Sequence, residues 1–238
     1  MKIFYVRHGD PVYNPDSLTP LGSRQAEAVA KRLAMHGMDE IYSSPSGRAM
    51  QTAAPLSEIL KMPVTTLDWC NEALVWDEFT VTTESGGKNW MFWDEKVRTK
   101  FKEKSIRLSD DKWYEDPFFD PKVGKGINRV NRAVDDFLAG LGYIHDRERG
   151  IYKVGQENDK RIALFAHQGF SMAFFSSVLD IPYPLFSTRF DISHSCFSVI
   201  DFPGKTGEEI TPRVRQHSND SHLYKEGLPT KYNNSFFV

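Results

Sequence analysis

The amino-acid sequence predicts an α/β protein with a mostly parallel sheet that helices cover on both faces. Short apolar runs typical of buried strands alternate with stretches whose apolar residues recur at helical spacing. The chain of 238 residues is 40% hydrophobic and 26% charged, an ordinary globular composition that can form a large core. We expect a single domain over residues 1–238. Residues 68–125, here called the inserted segment, interrupt the alternation.

The first part of the chain is predicted to supply alternating strands and helices. Apolar or β-branched runs predict strands at residues 2–6, 39–43 and 63–67. Thr19 is a candidate N-cap with Pro20 at the first helical position, and Gly37 ends this helix. Ser44-Pro45 repeats the cap-and-proline signal and predicts the start of a second helix.

The inserted segment differs in composition from the rest of the chain. It holds all five tryptophans, Trp69, Trp76, Trp90, Trp93 and Trp113. The apolar spacing after Gly86-Gly87 predicts a helix over residues 88–104. A basic stretch at 96–107 precedes an acidic one at 108–120, so their charges roughly cancel. We interpret the segment as a subdomain or lid whose tryptophans either form its own core or line a substrate pocket.

Regular alternation resumes in the second half of the chain. Apolar residues at helical spacing run from Ile127 to Leu141, and residues 146–160 are charged and punctuated by glycine, as in a surface loop. The elements predicted after this loop are a strand at 161–166, a helix at 170–179 and strands at 195–202 and 212–216. The tail from Ser218 is polar and irregular.

Charge and cysteine content exclude several classes of protein. Lys and Arg total 30 and Asp and Glu total 32, so no strong field attracts nucleic acid or a membrane. The two cysteines, Cys70 and Cys196, are too few for a disulfide framework and lack metal-ligand spacing. They favour a reducing compartment. The N-terminal apolar run is too short for a signal peptide and no run approaches a membrane span, so we expect a cytoplasmic protein.

Three of the predicted strands are each followed by a polar loop and then by a helix. The loops carry Arg7-His8-Gly9, Ser43-Ser44-Pro45 with Arg48 just beyond, and His167-Gln168-Gly169. Because ligands bind beyond the carboxyl ends of strands in an open α/β sheet, these loops are expected to converge at one edge. Two guanidinium groups, two imidazoles and several helix N-termini would then form a pocket suited to a phosphoryl group.

The same cluster predicts a nucleophile and calls for an acid. Arginines around His8 disfavour a charged imidazole, and a neutral imidazole can attack phosphorus while the cations stabilise the transition state. A proton is still needed for the leaving alcohol, and Asp10, Asp68 and Glu72 are the carboxyls near the loops. Glu72 follows the strand at 63–67 and so lies near the same edge. Nearby cations oppose the protonated form of the carboxyl that a general acid needs. Desolvation of Glu72 by the inserted segment could offset this effect.

Three ordered sequence blocks add a family resemblance to these observations. The blocks are VRHG at 6–9 followed by Asn14, LTPLGSRQA at 18–26, and SSPSGRAMQTA at 43–53. On these blocks the chain resembles the histidine phosphatase superfamily, in the branch that includes the cofactor-dependent phosphoglycerate mutases. The sequence HQG at 167–169 is similar to the family's second histidine block.

The resemblance implies a three-layer α/β/α sandwich of the phosphoglycerate mutase type, with a small cap made from residues 68–125. It implies that His8 accepts the phosphoryl group and that Glu72 acts as proton donor and then as base for water. No metal or organic cofactor would be required. The implied catalytic residues are His8, Glu72 and His167, and the implied phosphate-binding residues are Arg7, Asn14, Arg48 and Gln168.

Two departures from the family pattern bear on the reaction. The interval from Asn14 to Leu18 is too short for the Gly-Trp loop that helps mutases hold the carboxylate of phosphoglycerate, and Gln168 stands where glycine is commoner. The leading hypothesis is a metal-independent phosphatase of a small phosphomonoester. A phosphoglycerate mutase-type phosphotransferase and a non-catalytic phospho-ligand binder are the alternatives. Lys88, Arg98 and the tryptophans are candidates for selecting the substrate, and the oligomeric state is not predicted.

Overall fold

The computed structural model describes residues 1–109 and 112–233. Its strands in chain order are β1 (Lys2–Arg7), β2 (Pro11–Tyr13), β3 (Asp16–Leu18), β4 (Glu40–Ser43), β5 (Val64–Thr66), β6 (Thr80–Thr82), β7 (Lys88–Trp90), β8 (Tyr143–Asp146), β9 (Ile151–Val154), β10 (Arg161–Ala166), β11 (Phe197–Asp201), β12 (Glu209–Ile210) and β13 (Arg213–Asn219). Its α-helices are α1 (Pro20–Ala34), α2 (Gly47–Leu60), α3 (Glu72–Phe79), α4 (Glu95–Phe101), α5 (Lys104–Arg107), α6 (Pro121–Gly140), α7 (Gln168–Leu179), α8 (Tyr183–Phe186) and α9 (Ser221–Lys225).

The largest sheet has six strands in the order β13-β11-β1-β10-β4-β5. The pairs β1 with β10, β10 with β4, and β4 with β5 are parallel. The strands β11 and β13 are antiparallel to their neighbours at one end of the sheet. The prediction of a mostly parallel sheet is confirmed.

Helices cover both faces of this sheet and bury two apolar clusters. Side chains alternate along β1, so that Phe4 and Val6 join one cluster, with residues of α1 and α2. Ile3 and Tyr5 join the larger cluster, with residues of α6 and α7. The result is a central sheet between two layers of helices. None of the described helices has the length and apolar composition needed to cross a membrane.

The first two helices begin in different ways. The Thr19 hydroxyl accepts a hydrogen bond from the Gly22 N–H at 3.0 Å, which caps α1 as the sequence predicts. The second helix, α2, starts later than its cap-and-proline signal indicates. The carboxylate of Asp16 in β3 accepts the Gly47 N–H at 2.8 Å and so satisfies the helix start from a separate hairpin. Such a tertiary cap leaves no local sequence pattern.

The prediction of one helix over residues 88–104 is wrong in its first part. The strand β7 at its start pairs antiparallel with β6, and the helix α4 covers only Glu95–Phe101. Gly86, with φ of +81°, lies in the connection between β6 and β7, where a left-handed conformation suits glycine. A strand of three residues is too short to show the alternation that would separate it from a helix.

The loop predicted over residues 146–160 is also wrong in part. The strand β9 lies within it and pairs with β8 and β12 in a three-stranded sheet. Tyr152 and Val154 of β9 are fully buried, while Lys153 between them is exposed. The period-two pattern of a strand is therefore present, but the charged residues on both sides of it obscured it.

Candidate active site

The carboxyl ends of β1, β10 and β4 bring the three polar loops together. The peptide N–H of His8 donates to the carbonyl oxygen of Ala166 at 3.0 Å, and that of Ser44 donates to the carbonyl oxygen of Phe165 at 2.9 Å. The sheet hydrogen bonding thus continues one step past the strands. The ring centroids of His8 and His167 lie 5.3 Å apart as a result.

His8 is buried and held in one orientation by its neighbour in the chain. Its Nδ1 lies 2.7 Å from the carbonyl oxygen of Gly9. A carbonyl oxygen only accepts hydrogen bonds, so Nδ1 carries the proton and Nε2 of the neutral ring carries the lone pair. Burial, and then the charges of His167, Arg7 and Arg48, hold the pKa of His8 well below its usual value of 6.5. The ring is therefore uncharged near pH 7.

His167 is the N-cap residue of α7 and is completely buried. Its Nε2 lies 2.8 Å from the hydroxyl oxygen of Ser44 and 3.2 Å from that of Ser46. The Tyr5 hydroxyl donates to the carbonyl oxygen of His167 at 2.6 Å and fixes the backbone. Burial, followed by the charges of Arg48 and Arg7, holds the pKa of His167 well below 6.5.

Two buried arginines flank these histidines. Arg7 donates from Nη1 to the carbonyl oxygen of Ile192 at 2.5 Å and from Nη2 to Oδ1 of Asn233 at 2.6 Å. Arg48 donates from Nη1 to the Asp16 carboxylate at 2.7 Å. Burial lowers the pKa of Arg7 from its usual value, and a guanidinium group stays charged in proteins.

Several buried donors at this edge have no hydrogen-bond partner among the described residues. They are Nε of Arg7, Nε of Arg48 and Nδ1 of His167. Nδ1 of His167 is 3.0 Å from Oε2 of Glu72, but the approach is out of line for a hydrogen bond. Leaving a buried donor unsatisfied costs about 1–3 kcal/mol each. An anion with several acceptor oxygens would remove that cost.

Of the candidate acids, Glu72 lies nearest to the histidines. It is the first residue of α3, and its Oε2 is 3.9 Å from Nη2 of Arg48. One ligand atom each from His8, Glu72 and His167 lie within 4.8 Å of one another. Asp10 is held instead by the Thr19 hydroxyl at 2.8 Å and by Lys231 at 3.4 Å.

The two remaining predicted residues, Gln168 and Asn14, lie in different surroundings. Gln168 is buried in the wall of the site, where its Nε2 donates to the Asp191 carboxylate and its Oε1 accepts from Asn233 at 3.3 Å. Asn14 is exposed between β2 and β3 and does not line the site. Asp16, two residues further on, makes the contact with Arg48.

Sequence reasoning missed Asp16, His194 and Asn233 as members of the site. The His194 ring lies 5.9 Å from the His8 ring, and its Nε2 is 2.8 Å from Oδ1 of Asn233. Burial, with a smaller effect of Arg7, lowers the pKa of His194 to about 2. The strand β11 runs antiparallel to β1, so β11 begins at the edge of the sheet where β1 ends. The loop before β11, which carries His194, could therefore have been placed at this edge. No local signal identifies Asn233 in the polar tail.

The site opens into a cavity of about 1100 Å³. The inserted segment forms one wall of it through Asn71, Ala73, Trp76, Asp77, Asn89, Trp90 and Trp93. Trp113, by contrast, is buried in the apolar core. Trp76 and Trp93 therefore line the cavity, Trp113 belongs to the core, and Trp90 does both. Lys88 and Arg98 do not line the cavity.

Comparison with known proteins agrees with this arrangement. Residues 3–212 match the model of the histidine phosphatase superfamily, branch 1. The chain belongs to the histidine phosphatase superfamily. The family resemblance drawn from the sequence blocks is confirmed.

Similar proteins within this superfamily include mutases and phosphatases. A probable phosphoglycerate mutase of Yersinia enterocolitica is 37% identical over 75 residues, which cover 28% of this chain and 35% of the mutase. A putative phosphoserine phosphatase of Hydrogenobacter thermophilus is 37% identical over 68 residues, or 25% and 34% of the two chains. The match thus spans about a third of the length of these relatives.

Two solved structures share the fold of this superfamily member over most of their length. A phosphoserine phosphatase of Entamoeba histolytica has a TM-score of 0.60 at 18% identity, covering 93% of this chain and 98% of that one. A mycobacterial glucosyl-3-phosphoglycerate phosphatase has a TM-score of 0.58 at 21% identity, covering 91% and 98%.

The candidate site also contains a set of potential metal ligands. Ligand atoms of His8, Glu72 and His167 are close enough to share one ion, and imidazole and carboxylate groups bind Zn²⁺. Arg7 and Arg48 beside them would repel a cation. The same charges favour an anion.

Proposed function

We propose that this chain is a metal-independent phosphatase that hydrolyses small phosphomonoesters through a phosphohistidine at His8. The observation that carries the proposal is the group of buried donors without acceptors, from Arg7, Arg48 and His167, beside an uncharged imidazole. A phosphoryl group offers several strong acceptor oxygens and a negative charge that match these donors. The superfamily membership supports phosphoryl chemistry at this place in the fold.

In the first step, Nε2 of His8 attacks phosphorus and the bond from phosphorus to the alcohol oxygen breaks. The Gly9 carbonyl holds the proton on Nδ1 and stabilises the positive charge that the ring gains. Arg7 and Arg48 stabilise the charge on the phosphoryl oxygens in the transition state. Their position is fixed before substrate binds, so little reorganisation is needed.

Glu72 serves both halves of the reaction. It gives its proton to the departing alcohol oxygen, then removes a proton from the water that attacks the phosphohistidine, which releases inorganic phosphate and restores His8. Before substrate binds, Arg48 opposes a protonated carboxyl at Glu72. The negative charge of a bound phosphoryl group acts in the opposite direction and favours the form that can donate.

The other residues position the phosphoryl group. Ser44 and Ser46 hold Nε2 of His167, which leaves Nδ1 to face a ligand. Gln168 begins α7, and a helix N-terminus favours an anion. We assign no role to Asn14, because its side chain is exposed to solvent between β2 and β3.

A steady-state assay with p-nitrophenyl phosphate tests the proposal. His8→Ala is expected to lose at least about 1000-fold in kcat, because it removes the nucleophile. His36→Ala, at a histidine just past the C-terminal end of α1 and beside Phe4, is the matched control and should keep wild-type activity. Equal rates for His8→Ala and His36→Ala would refute the proposal.

Two further measurements separate this reaction from its alternatives. Activity should survive prolonged treatment with a chelator, and full loss that a metal restores would indicate a metal enzyme instead. Any turnover of 3-phosphoglycerate, however slow, should release inorganic phosphate. Formation of 2-phosphoglycerate would identify a mutase.

A further inference from the structure

Resting on the phosphatase function, we propose a substrate class for this site. The substrate is a phosphomonoester whose alcohol carries no anionic group and presents a flat apolar surface to the cavity. Esters of alcohols that carry a carboxylate are poor substrates. The inference rests on the charges of the cavity wall and on the position of its tryptophans.

The wall beyond the histidines has no free cation among residues 1–109 and 112–233. Arg48 is the single Lys or Arg side chain that lines the cavity there, and it already pairs with Asp16 at 2.7 Å. Asp10 and Asp77 add two more carboxylates to the wall. A second anionic group on the substrate would therefore meet acids and no unpaired cation.

Two lysines near the cavity form ion pairs with these acids. Nζ of Lys88 lies 3.5 Å from the Asp77 carboxylate, and Nζ of Lys231 lies 3.4 Å from the Asp10 carboxylate. Neither lysine lines the cavity. Recognition of a carboxylate requires a cation or aligned donors to replace its hydration. Among the described residues, this wall offers no unpaired lysine or arginine side chain for that purpose.

The aromatic part of the wall begins beside the acid that protonates the leaving oxygen. A Cβ built on Gly169 would lie 2.3 Å from Cη2 of Trp90 and 2.4 Å from Oε1 of Glu72, so the indole and the carboxyl both press on this glycine. The alcohol departs past Glu72 and thus along Trp90. Its carbon skeleton is the part of the substrate that meets the tryptophans.

The tryptophans form a fixed surface of suitable shape. The rings of Trp76 and Trp90 are nearly perpendicular, at 87° with centroids 4.8 Å apart. Trp90 stacks on Phe92 at 5.5 Å, and Trp93 meets the same Phe92 ring edge to face at 5.2 Å. The cavity of about 1100 Å³ exceeds what a phosphoryl group alone requires. A planar ring on the substrate alcohol would bury apolar area against these tryptophans and make favourable edge contacts with them.

Kinetics with matched alkyl esters test the substrate class. The substrates are 2-phenylethyl phosphate, ethyl phosphate, O-phosphoserine and phosphocholine, whose leaving groups are all alkyl alcohols. We expect kcat/KM for 2-phenylethyl phosphate to exceed that for ethyl phosphate by about tenfold or more. O-phosphoserine should fall below ethyl phosphate. Equal or higher kcat/KM for O-phosphoserine or phosphocholine than for 2-phenylethyl phosphate would overturn the inference.

Two variants locate the effect. Trp93→Ala should lower the ratio of kcat/KM for 2-phenylethyl phosphate over ethyl phosphate, whereas Tyr224→Ala, at a 92% exposed aromatic residue of α9, should leave that ratio unchanged. Asp77→Asn removes a carboxylate and releases Lys88. It should raise kcat/KM for O-phosphoserine relative to ethyl phosphate by about threefold. The assignment would be contradicted if Trp93→Ala left the ratio for 2-phenylethyl phosphate unchanged and Asp77→Asn left the ratio for O-phosphoserine unchanged.

Binding without turnover distinguishes this inference from the function on which it rests. Calorimetry compares 3-phenylpropylphosphonate with propylphosphonate, neither of which the enzyme can hydrolyse. Tighter binding of the phenyl compound with no hydrolysis of any ester would refute the phosphatase and retain the binding preference. Hydrolysis of all four esters with equal kcat/KM and equal binding of both phosphonates would refute the preference and retain the phosphatase.

Discussion

One added methyl group at Gly169 should disrupt the proposed chemistry. Its missing side chain leaves room for Trp90 and Glu72, whose nearest atoms would lie 2.3 and 2.4 Å from a Cβ. Non-bonded carbon atoms approach to about 3.5–4.0 Å. In Gly169→Ala, Trp90 or the helix backbone must therefore move by about 1.2 Å, and the carboxyl must shift as well.

The expected cost of Gly169→Ala has two parts. Overpacking of this kind destabilises by about 1–3 kcal/mol, partly offset by the higher helix propensity of alanine, about 1 kcal/mol. A displacement of about 1 Å at a catalytic group can cost about 100-fold in rate. We therefore expect a modest fall in thermal stability and a large fall in kcat.

The nature of the leaving group shows whether Glu72 is the displaced part. Ethyl phosphate needs a proton on its departing oxygen, whereas p-nitrophenolate leaves without one. Gly169→Ala should lose about 100-fold in kcat/KM, which reports transfer of the phosphoryl group to His8, with ethyl phosphate and much less with p-nitrophenyl phosphate. Glu72→Gln should show the same dependence of kcat/KM on the leaving group. Kinetics with both esters, beside thermal denaturation, provide the measurement.

Gly140→Ala is the matched control. Gly140 ends α6 with no heavy atom within 4 Å of an added Cβ, so this variant should keep wild-type activity and be at least as stable as the wild type. If Gly169→Ala hydrolyses ethyl phosphate within threefold of Gly140→Ala, the placement of Glu72 as the proton donor is refuted.

Two other predictions use the titrating groups. Protonation of His8 at low pH removes the nucleophile, and burial holds the pKa of His8 well below 6.5. In a pH–rate profile, the fall of kcat/KM on the acidic side should therefore lie well below pH 6.5. A fall with its midpoint at pH 6.5 would contradict the burial of His8. His145 is buried between the Asp135 and Asp180 carboxylates, each at 2.9 Å, and these hydrogen bonds raise its pKa above 6.5 against the opposing effect of burial. The stability that charged His145 contributes is therefore fully present below pH 6.5 and is lost as pH rises through the raised pKa. In urea unfolding, His145→Ala should lower the free energy of unfolding by about 2 kcal/mol at pH 6 and by less at pH 9. An equal loss of stability at both pH values would contradict a charged His145.

The sequence could predict the parts of the site that lie on buried parallel strands. The runs before His8 and His167 are apolar throughout, and their flanking helices carry clear spacing, so the convergence of the two loops follows from topology alone. Arg48 follows for the same reason, since β4 lies beside β10. Each of these inferences depends only on local pattern and on a general rule for open sheets.

Contacts between distant parts of the chain were beyond the reach of such rules. Asp16 both caps α2 and pairs with Arg48, yet in the sequence it is one acid in a polar turn. Asn233 reaches Arg7 across an interval of 226 residues. The hairpin of β6 and β7 is stabilised by packing of Trp90, which periodicity assigned to a helix. Tertiary packing decides all of these, and a single sequence does not encode it in a readable period.

Mapping a trapped phosphoryl group tests the central claim most directly. Glu72→Gln can still accept the phosphoryl group from p-nitrophenyl phosphate, because that leaving group needs no proton, but it lacks the base that activates water. Rapid quenching in base followed by mass spectrometry should find the phosphoryl group on His8, stable in base and lost in acid. Turnover with the phosphoryl group on Ser44 or Ser46, or with no phosphorylated protein at any time, would contradict the account.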